Sequence, residues 1–160
     1  MISACSSTRH LPLDIAIRDF EEKYLSGVCK VEESSFAPSD RYPRWLFKYY
    51  AERGAVFKVA VLDREVVGYA VATLENSGCH VVSIAVRPDF RGIGIGTALM
   101  CSILEDCVKR GARYAFLEVE VSNSIAIKLY EKLGFKVVSV LKNYYGSGRN
   151  AYLMKAELSR

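Results

Sequence analysis

The chain has 160 residues, 51% of them hydrophobic and 25% charged, which is the size and composition of one folded domain with a sizeable core and argues against disorder, internal repeats or a fibrous chain. Its formal net charge is +4, with lysines and arginines scattered rather than gathered in a tract, so no direct nucleic-acid readout is expected, whereas a polyanionic small ligand is compatible. Apolar runs such as 81–86 are far too short to cross a bilayer, and 1–12 contains Arg9 and His10 without a hydrophobic signal core, so a cytoplasmic protein with no membrane partner is expected.

Residues 1–12 are expected to be a flexible tail and 13–160 one domain. Residues 15–18 read as a first strand and 20–36 as a helix, with Phe20, Tyr24, Val28 and Val31 at helical spacing. Pro38-Ser39-Asp40 supplies the turn chemistry that interrupts it. A second helix follows Pro43, is expected to face Trp45, Leu46, Tyr49 and Tyr50 inward, and ends at Gly54. Strands at 56–62 and 66–74 flank an Asp63-Arg64 turn, and 80–86 is the next strand. A helix over 95–110 stops at Gly111, 114–121 is a strand, a helix over 124–133 is capped by Gly134, and 136–141 and 151–157 are closing strands. Such alternation yields an α/β domain, a mixed sheet covered by helices.

The cysteines at 5, 29, 79, 101 and 107 are odd in number and scattered, with no Cys-x-x-Cys pair and only His10 and His80 to complete a metal site. Buried free thiols are expected, with neither a metal site nor an internal disulfide, and no base partner marks any of them as a nucleophile.

The segment HVVSIAVRPDFRGIGIGTALM runs from an apolar strand through a glycine-rich turn straight into a helix. Gly92, Gly94 and Gly96 let the backbone approach a ligand while the first N–H groups of the helix stay unpaired, which makes a pyrophosphate site. The order lacks the Gly-x-Gly-x-x-Gly of a dinucleotide fold, and no Gly-Lys-Ser/Thr follows. A turn ahead of a helix also accounts for such glycines without any ligand. The segment resembles, however, the Arg/Gln-x-x-Gly-x-Gly/Ala signature of the GCN5-related N-acetyltransferase superfamily, with its Val-Arg-Pro-x-Phe lead-in. LEVEVSNSIAIKLYEKLGF at 117–135 resembles the second block of the same superfamily.

The resemblance covers 13–158 and implies a mixed, mostly antiparallel sheet in which two parallel strands, here 80–86 and 114–121, splay where the pantetheine arm of acetyl-CoA inserts. It implies that the backbone of Ile84, Ala85 and Val86 pairs with that arm. Arg91, Gly92, Ile93, Gly94, Ile95, Gly96 and Thr97 would cradle the pyrophosphate. Asn123 would be a polar contact to the cofactor, and as a residue it is equally a helix cap.

Attack of a neutral amine on a thioester needs a proton acceptor, a donor to the developing oxyanion and an acid for the leaving thiolate. Tyr130 stands where the superfamily places a tyrosine beside the cofactor sulfur and is the expected general acid, although Leu129 and Leu133 beside it also suit a core aromatic. Two groups compete as base. Glu118 matches the glutamate of bacterial ribosomal-protein alanine acetyltransferases around LEVxxSN, whereas HVVSIAV resembles archaeal and eukaryotic N-terminal acetyltransferases in which the histidine, here His80, holds or activates a water. The two acting through one ordered water is the expectation, with Glu120 outward and solvated.

In FAPSDRYP, where archaeal relatives carry an acidic residue before Tyr-Pro, the spacing differs by one inserted residue, which leaves Asp40 and Ser39 both as candidates for that position. Tyr42, Tyr144 and Tyr145 lie in segments that resemble the loops clasping a peptide N-terminus. The implied activity is acetyl transfer from acetyl-CoA, without a metal, to the N-terminal α-amines of proteins, ribosomal proteins included. A small-molecule amine acetyltransferase and a non-catalytic acetyl-CoA-binding regulatory module are the alternatives.

Overall fold

The computed structural model describes Cys5, Leu11, Pro12 and residues 14–158, so the expected tail at 1–12 lies largely outside the described residues. The strands are β1 (Ala16–Asp19), β2 (Val56–Leu62), β3 (Glu65–Glu75), β4 (Gly78–Val86), β5 (Tyr114–Glu120), β6 (Lys136–Leu141) and β7 (Ala151–Glu157). The helices are α1 (Leu25–Ser35), α2 (Arg44–Glu52), α3 (Ile95–Lys109) and α4 (Ser124–Lys132). Among the described residues no helix is long and apolar enough to cross a membrane.

The strands form a 7-stranded sheet in the order β1-β2-β3-β4-β5-β7-β6. β2 and β3 are a hairpin closed by Asp63 and Arg64, both at positive φ (46° and 69°), the turn geometry that matches the right-handed twist of paired strands. Both faces of the sheet are covered at its centre. Leu99, Met100 and Ile103 of α3 pack with Val67, Ala70 and Met154 on one side, and Val28 and Val31 of α1 with Phe57, Tyr69 and Val71 on the other. Burial on both sides is why β2 and β3 read as nearly continuous apolar runs.

One ladder is parallel, and it is short. β4 pairs with β5 only at Gly78↔Tyr114, Cys79↔Ala115 and His80↔Phe116, after which β4 stays with β3 to Val86 and β5 with β7 to Glu120. The facing edges of β4 and β5 beyond His80 therefore have no partner in each other, and their main-chain groups line an open slot. A register shift leaves Val82 as the extra residue between Val81, opposite Ala72, and Ser83, opposite Val71, which bends β4 beside that slot.

Three local expectations are corrected. Phe20 lies ahead of the helix, which is preceded by a 3-10 turn at Glu22–Tyr24, and its ring stacks on Phe57 with centroids 4.2 Å apart. α2 turns a different face inward: Phe47 is buried, whereas Trp45 is 67% and Tyr49 44% exposed. A short helix buries one stripe, and Phe47 fits among Tyr42, Phe57 and Tyr69, with centroid separations of 6.0, 6.2 and 5.2 Å. Aromatic character alone did not say which of four neighbours fills that gap.

The third correction concerns the cysteines. Cys5 and Cys101 form a disulfide across a sequence separation of 96, with Cα atoms 5.5 Å apart. Local spacing carries no sign of it, because the pairing depends on where the start of the chain meets α3. Cys29, Cys79 and Cys107 are free thiols, and the hydrogen bond to Cys107 together with burial pushes the Cys79 thiol up, so it stays neutral. A crosslink closing so long a loop contributes about 2–4 kcal/mol. Reduction of the oxidised protein should lower its denaturant midpoint, and Cys101→Ser should start from the lower value and gain nothing further from reductant. An unchanged midpoint on reduction would show that the crosslink does not constrain the chain.

Candidate active site

The end of β4 leads through the 3-10 turn Pro88–Phe90 into Gly92 and Gly94, at φ 81° and 96°, a backbone region that side chains with a Cβ rarely adopt. Gly94 is the N-cap of α3 and offers no side chain to the first turn. The N–H groups at that helix start, with the positive end of its dipole, are left to an anion. Arg91 Nε donates to Val86 O at 2.9 Å and fixes the turn to the strand.

This turn forms one wall of a cavity of about 410 Å³. Ile84, Ala85, Val86, Arg91, Gly92, Gly94, Ile95, Gly96, Thr97, Asn123 and Tyr130 all line it, whereas Ile93 does not and is 41% exposed. Ser35, Phe36, Phe90, Ile125, Ala126 and Leu129 complete the lining and were not anticipated. The Oγ of Ser35 is buried there without a hydrogen-bond partner, the mark of a wall that a polar ligand completes. An open strand edge, apolar walls and an anion-binding turn together fit a long, phosphate-bearing ligand such as acetyl-CoA.

A second cavity, of about 500 Å³, lies on the other side of the slot. Its lining shares Phe36, Ile84, Asn123, Ala126 and Tyr130 with the first, so the two meet between the splayed strands. Tyr130 is buried at this junction, and burial pushes its phenol up to about 12, which keeps it protonated. Asn123 Oδ1 accepts from Ala126 N at 3.2 Å, so this residue caps α4 and also lines both cavities.

Glu118 enters the second cavity from β5, its side chain 15% exposed. Its Oε1 lies 2.8 Å from His80 Nε2, while His80 Nδ1 lies 3.2 Å from Glu75 Oε2 and the imidazole stacks on Phe116 with centroids 4.6 Å apart. The two candidate bases are thus direct hydrogen-bond partners, with His80 outside the lining and behind Glu118. Burial alone would lower the pKa of His80, but the hydrogen bond and charge of Glu118, with those of Glu75, outweigh it and the net shift is upward.

Glu120 departs from expectation. Instead of standing free in solvent it lines the second cavity and is gripped by Arg149, with Nη2 to Oε1 at 2.8 Å. Tyr42, Tyr144 and Tyr145 line the same cavity, as do Ser39 and Asp40. Tyr42 Oη donates to Val82 O at 3.4 Å and Tyr145 Oη to Glu118 O at 3.3 Å.

Glu32 was not anticipated. It accepts from Tyr42 N at 2.8 Å and from the Tyr69 hydroxyl, and burial pushes its carboxyl up. A glutamate in an amphipathic helix reads as solvated, and only the position of α1 under the 38–43 turn reveals its use.

The sequence pattern of the acetyltransferase (GNAT) family matches residues 17–135, a span that includes the glycine turn, the slot and Tyr130. An N-alpha-acetyltransferase of Sulfurisphaera tokodaii is 43% identical over 143 residues, which cover 80% of this chain and 85% of that protein. The crystal structure of the ribosomal-protein-S18-alanine N-acetyltransferase from Escherichia coli matches with a TM-score of 0.82 at 26% identity, covering 91% of this chain and 95% of that one. An Arabidopsis thaliana protein in complex with the bisubstrate analogue CoA-Ac-MVNAL matches with a TM-score of 0.79 at 26% identity, covering 91% and 100%. With the family pattern lying across the whole of the slot and its anion-binding turn, the chain belongs to the acetyltransferase (GNAT) family, whose acetyl donor is acetyl-CoA.

Proposed function

We propose that the chain transfers the acetyl group of acetyl-CoA to the α-amine at the N-terminus of proteins. The observation that carries this reading is the second cavity, walled by tyrosines and by carboxylates that include Glu118, which meets the cofactor cleft at Tyr130. Carboxylates attract an ammonium group, and tyrosines offer flat apolar walls with hydroxyls for main-chain groups of an extended peptide. The activity named for the Sulfurisphaera tokodaii relative supports the same class.

Amine basicity supports it further. At neutral pH roughly a tenth of α-amines are uncharged, against roughly a few parts in ten thousand for lysine side chains. A carboxylate backed by an imidazole is a sufficient base for the former.

When bound, acetyl-CoA supplies the thioester carbonyl that the amine attacks. Gly92, Gly94, Ile95, Gly96 and Thr97, with the edge of β4 at Ile84 to Val86, would hold and orient it. Glu118 takes the proton that the amine gives up, and His80, at 2.8 Å from its Oε1, shares and passes that proton toward Glu75 and solvent. Tyr130 keeps its proton through the working pH range and delivers it to the departing sulfur. Tyr42, Tyr144 and Tyr145 flank the incoming peptide.

Initial rates on short peptides varied at their first two residues, on N-blocked copies and on small amines test the reading. Turnover that depends on the peptide sequence and vanishes on blocking is the expected result. Turnover of a small amine with every peptide inert would overturn it.

A further inference from the structure

Arg149, in the connection between β6 and β7, spends its whole guanidinium on two carboxylates from distant parts of the chain. Nε and Nη2 donate to Glu120 Oε2 and Oε1 at 3.1 and 2.8 Å, and Nη1 and Nη2 donate to Asp40 Oδ1 and Oδ2 at 3.1 and 3.0 Å. Nη1 also reaches Tyr145 O at 3.3 Å, and the guanidinium carbon lies 5.8 Å from the Tyr145 ring centroid. Two bidentate forks on one cation are an arrangement that lysine cannot reproduce.

Asp40 ends the 3-10 turn Pro38–Asp40 between α1 and α2, and Glu120 ends β5. One side chain thus ties the α1–α2 connection to the β6–β7 connection over the second cavity. Among the described residues it is also the only lysine or arginine in that lining, set against Glu32, Asp40, Glu118 and Glu120. Without it, the carboxylates of Asp40 and Glu120 would face each other uncompensated and repel.

Val121 N donates to Asn150 O at 3.0 Å and so anchors the end of the β6–β7 connection next to β7, but most of the bonds nearer its tip are internal. Tyr145 N donates to Arg149 O at 3.1 Å, Arg149 N to Gly146 O at 2.9 Å, and Gly148 N to Asn143 Oδ1 at 2.8 Å. These bonds shape the turn without fixing where it sits. Toward the rest of the protein, the Tyr145 hydroxyl contact to Glu118 O is long at 3.3 Å, whereas the Arg149 forks are charged and multiple.

We infer that Arg149 is a positioning residue, a latch that seats the Tyr144–Tyr145 turn over the acceptor path and so sets how tightly the acceptor peptide is held. This rests on the peptide reading of the second cavity. None of Arg149, Asp40 and Glu120 lines the cofactor cavity, so the latch governs the acceptor and not the donor.

The test compares the full chain with Arg149→Met and Arg149→Lys, in steady-state kinetics and in hydrogen exchange of 142–150. Arg149→Met should raise the peptide KM about tenfold or more, the scale of a lost charged hydrogen-bond pair. The acetyl-CoA KM and the pH dependence of kcat should stay unchanged, and the 142–150 amides should exchange faster. Arg149→Lys should restore part of the peptide KM, and high salt should weaken the wild-type advantage. Unchanged peptide KM with unchanged exchange overturns the latch, as does an equal rise in both KM values with a lowered denaturant midpoint, which is plain structural loss. If the wild-type protein turns over no peptide, the peptide reading itself has failed, and the exchange comparison, which needs no substrate, still decides whether Arg149 holds the turn.

Discussion

Glu118→Gln should lower kcat/KM by about 10²–10⁴-fold, the range of a well-placed general base, while acetyl-CoA binding stays as it was, because Glu118 lines only the acceptor cavity. The pH profile separates a base from a structural group. Burial lowers the pKa of His80, and Glu118 and Glu75 more than reverse that, so it lies above its ordinary 6.5. His80 receives the proton that Glu118 passes on, and the acidic limb of the wild-type profile therefore falls above pH 6.5. Replacing Glu118 removes the strongest upward influence and leaves burial opposed by Glu75 alone, so the limb of the residual activity moves to lower pH. A small loss of rate with an unmoved limb would assign proton removal to another group.

Tyr130→Phe should lower kcat by about 10²-fold or more and leave the thermal midpoint nearly unchanged, because the phenylalanine ring keeps the packing beside Phe135, whose centroid is 6.0 Å away. The phenol is held up to about 12 by burial, so wild-type activity should show no loss from its ionisation at neutral or mildly basic pH. Full kcat in the phenylalanine variant would reduce Tyr130 to a core aromatic and require another proton donor for the leaving thiolate.

The parts of this molecule that were legible in its sequence are those fixed by a few adjacent residues. Asp63-Arg64 closes the β2–β3 hairpin at positive φ, Gly111 and Gly134 stop α3 and α4 at φ 99° and 94°, and the turn at Gly92 and Gly94 precedes a helix start, each as local chemistry dictates. The splay of β4 from β5 was legible only through family resemblance. What escaped depends on contacts between remote segments. The His80–Glu118 bond, 38 residues apart, follows from the last rung of a short parallel ladder. The Arg149–Asp40 fork spans 109 residues and the Cys5–Cys101 link 96, and neither has a local signature. Glu120 looked solvent-bound because its partner lies across the sheet end, and Trp45 looked buried because a short aromatic helix does not reveal which stripe meets the core.

The central claim, acetyl transfer to a protein α-amine at the junction of the two cavities, is tested most directly by one peptide carrying both a free N-terminus and an internal lysine. Incubated with acetyl-CoA and the protein and read by tandem mass spectrometry, it should carry the acetyl group on the α-amine alone, at a rate that collapses in Glu118→Gln. Acetyl groups on the lysine side chain, with the α-amine unmodified, would contradict the account.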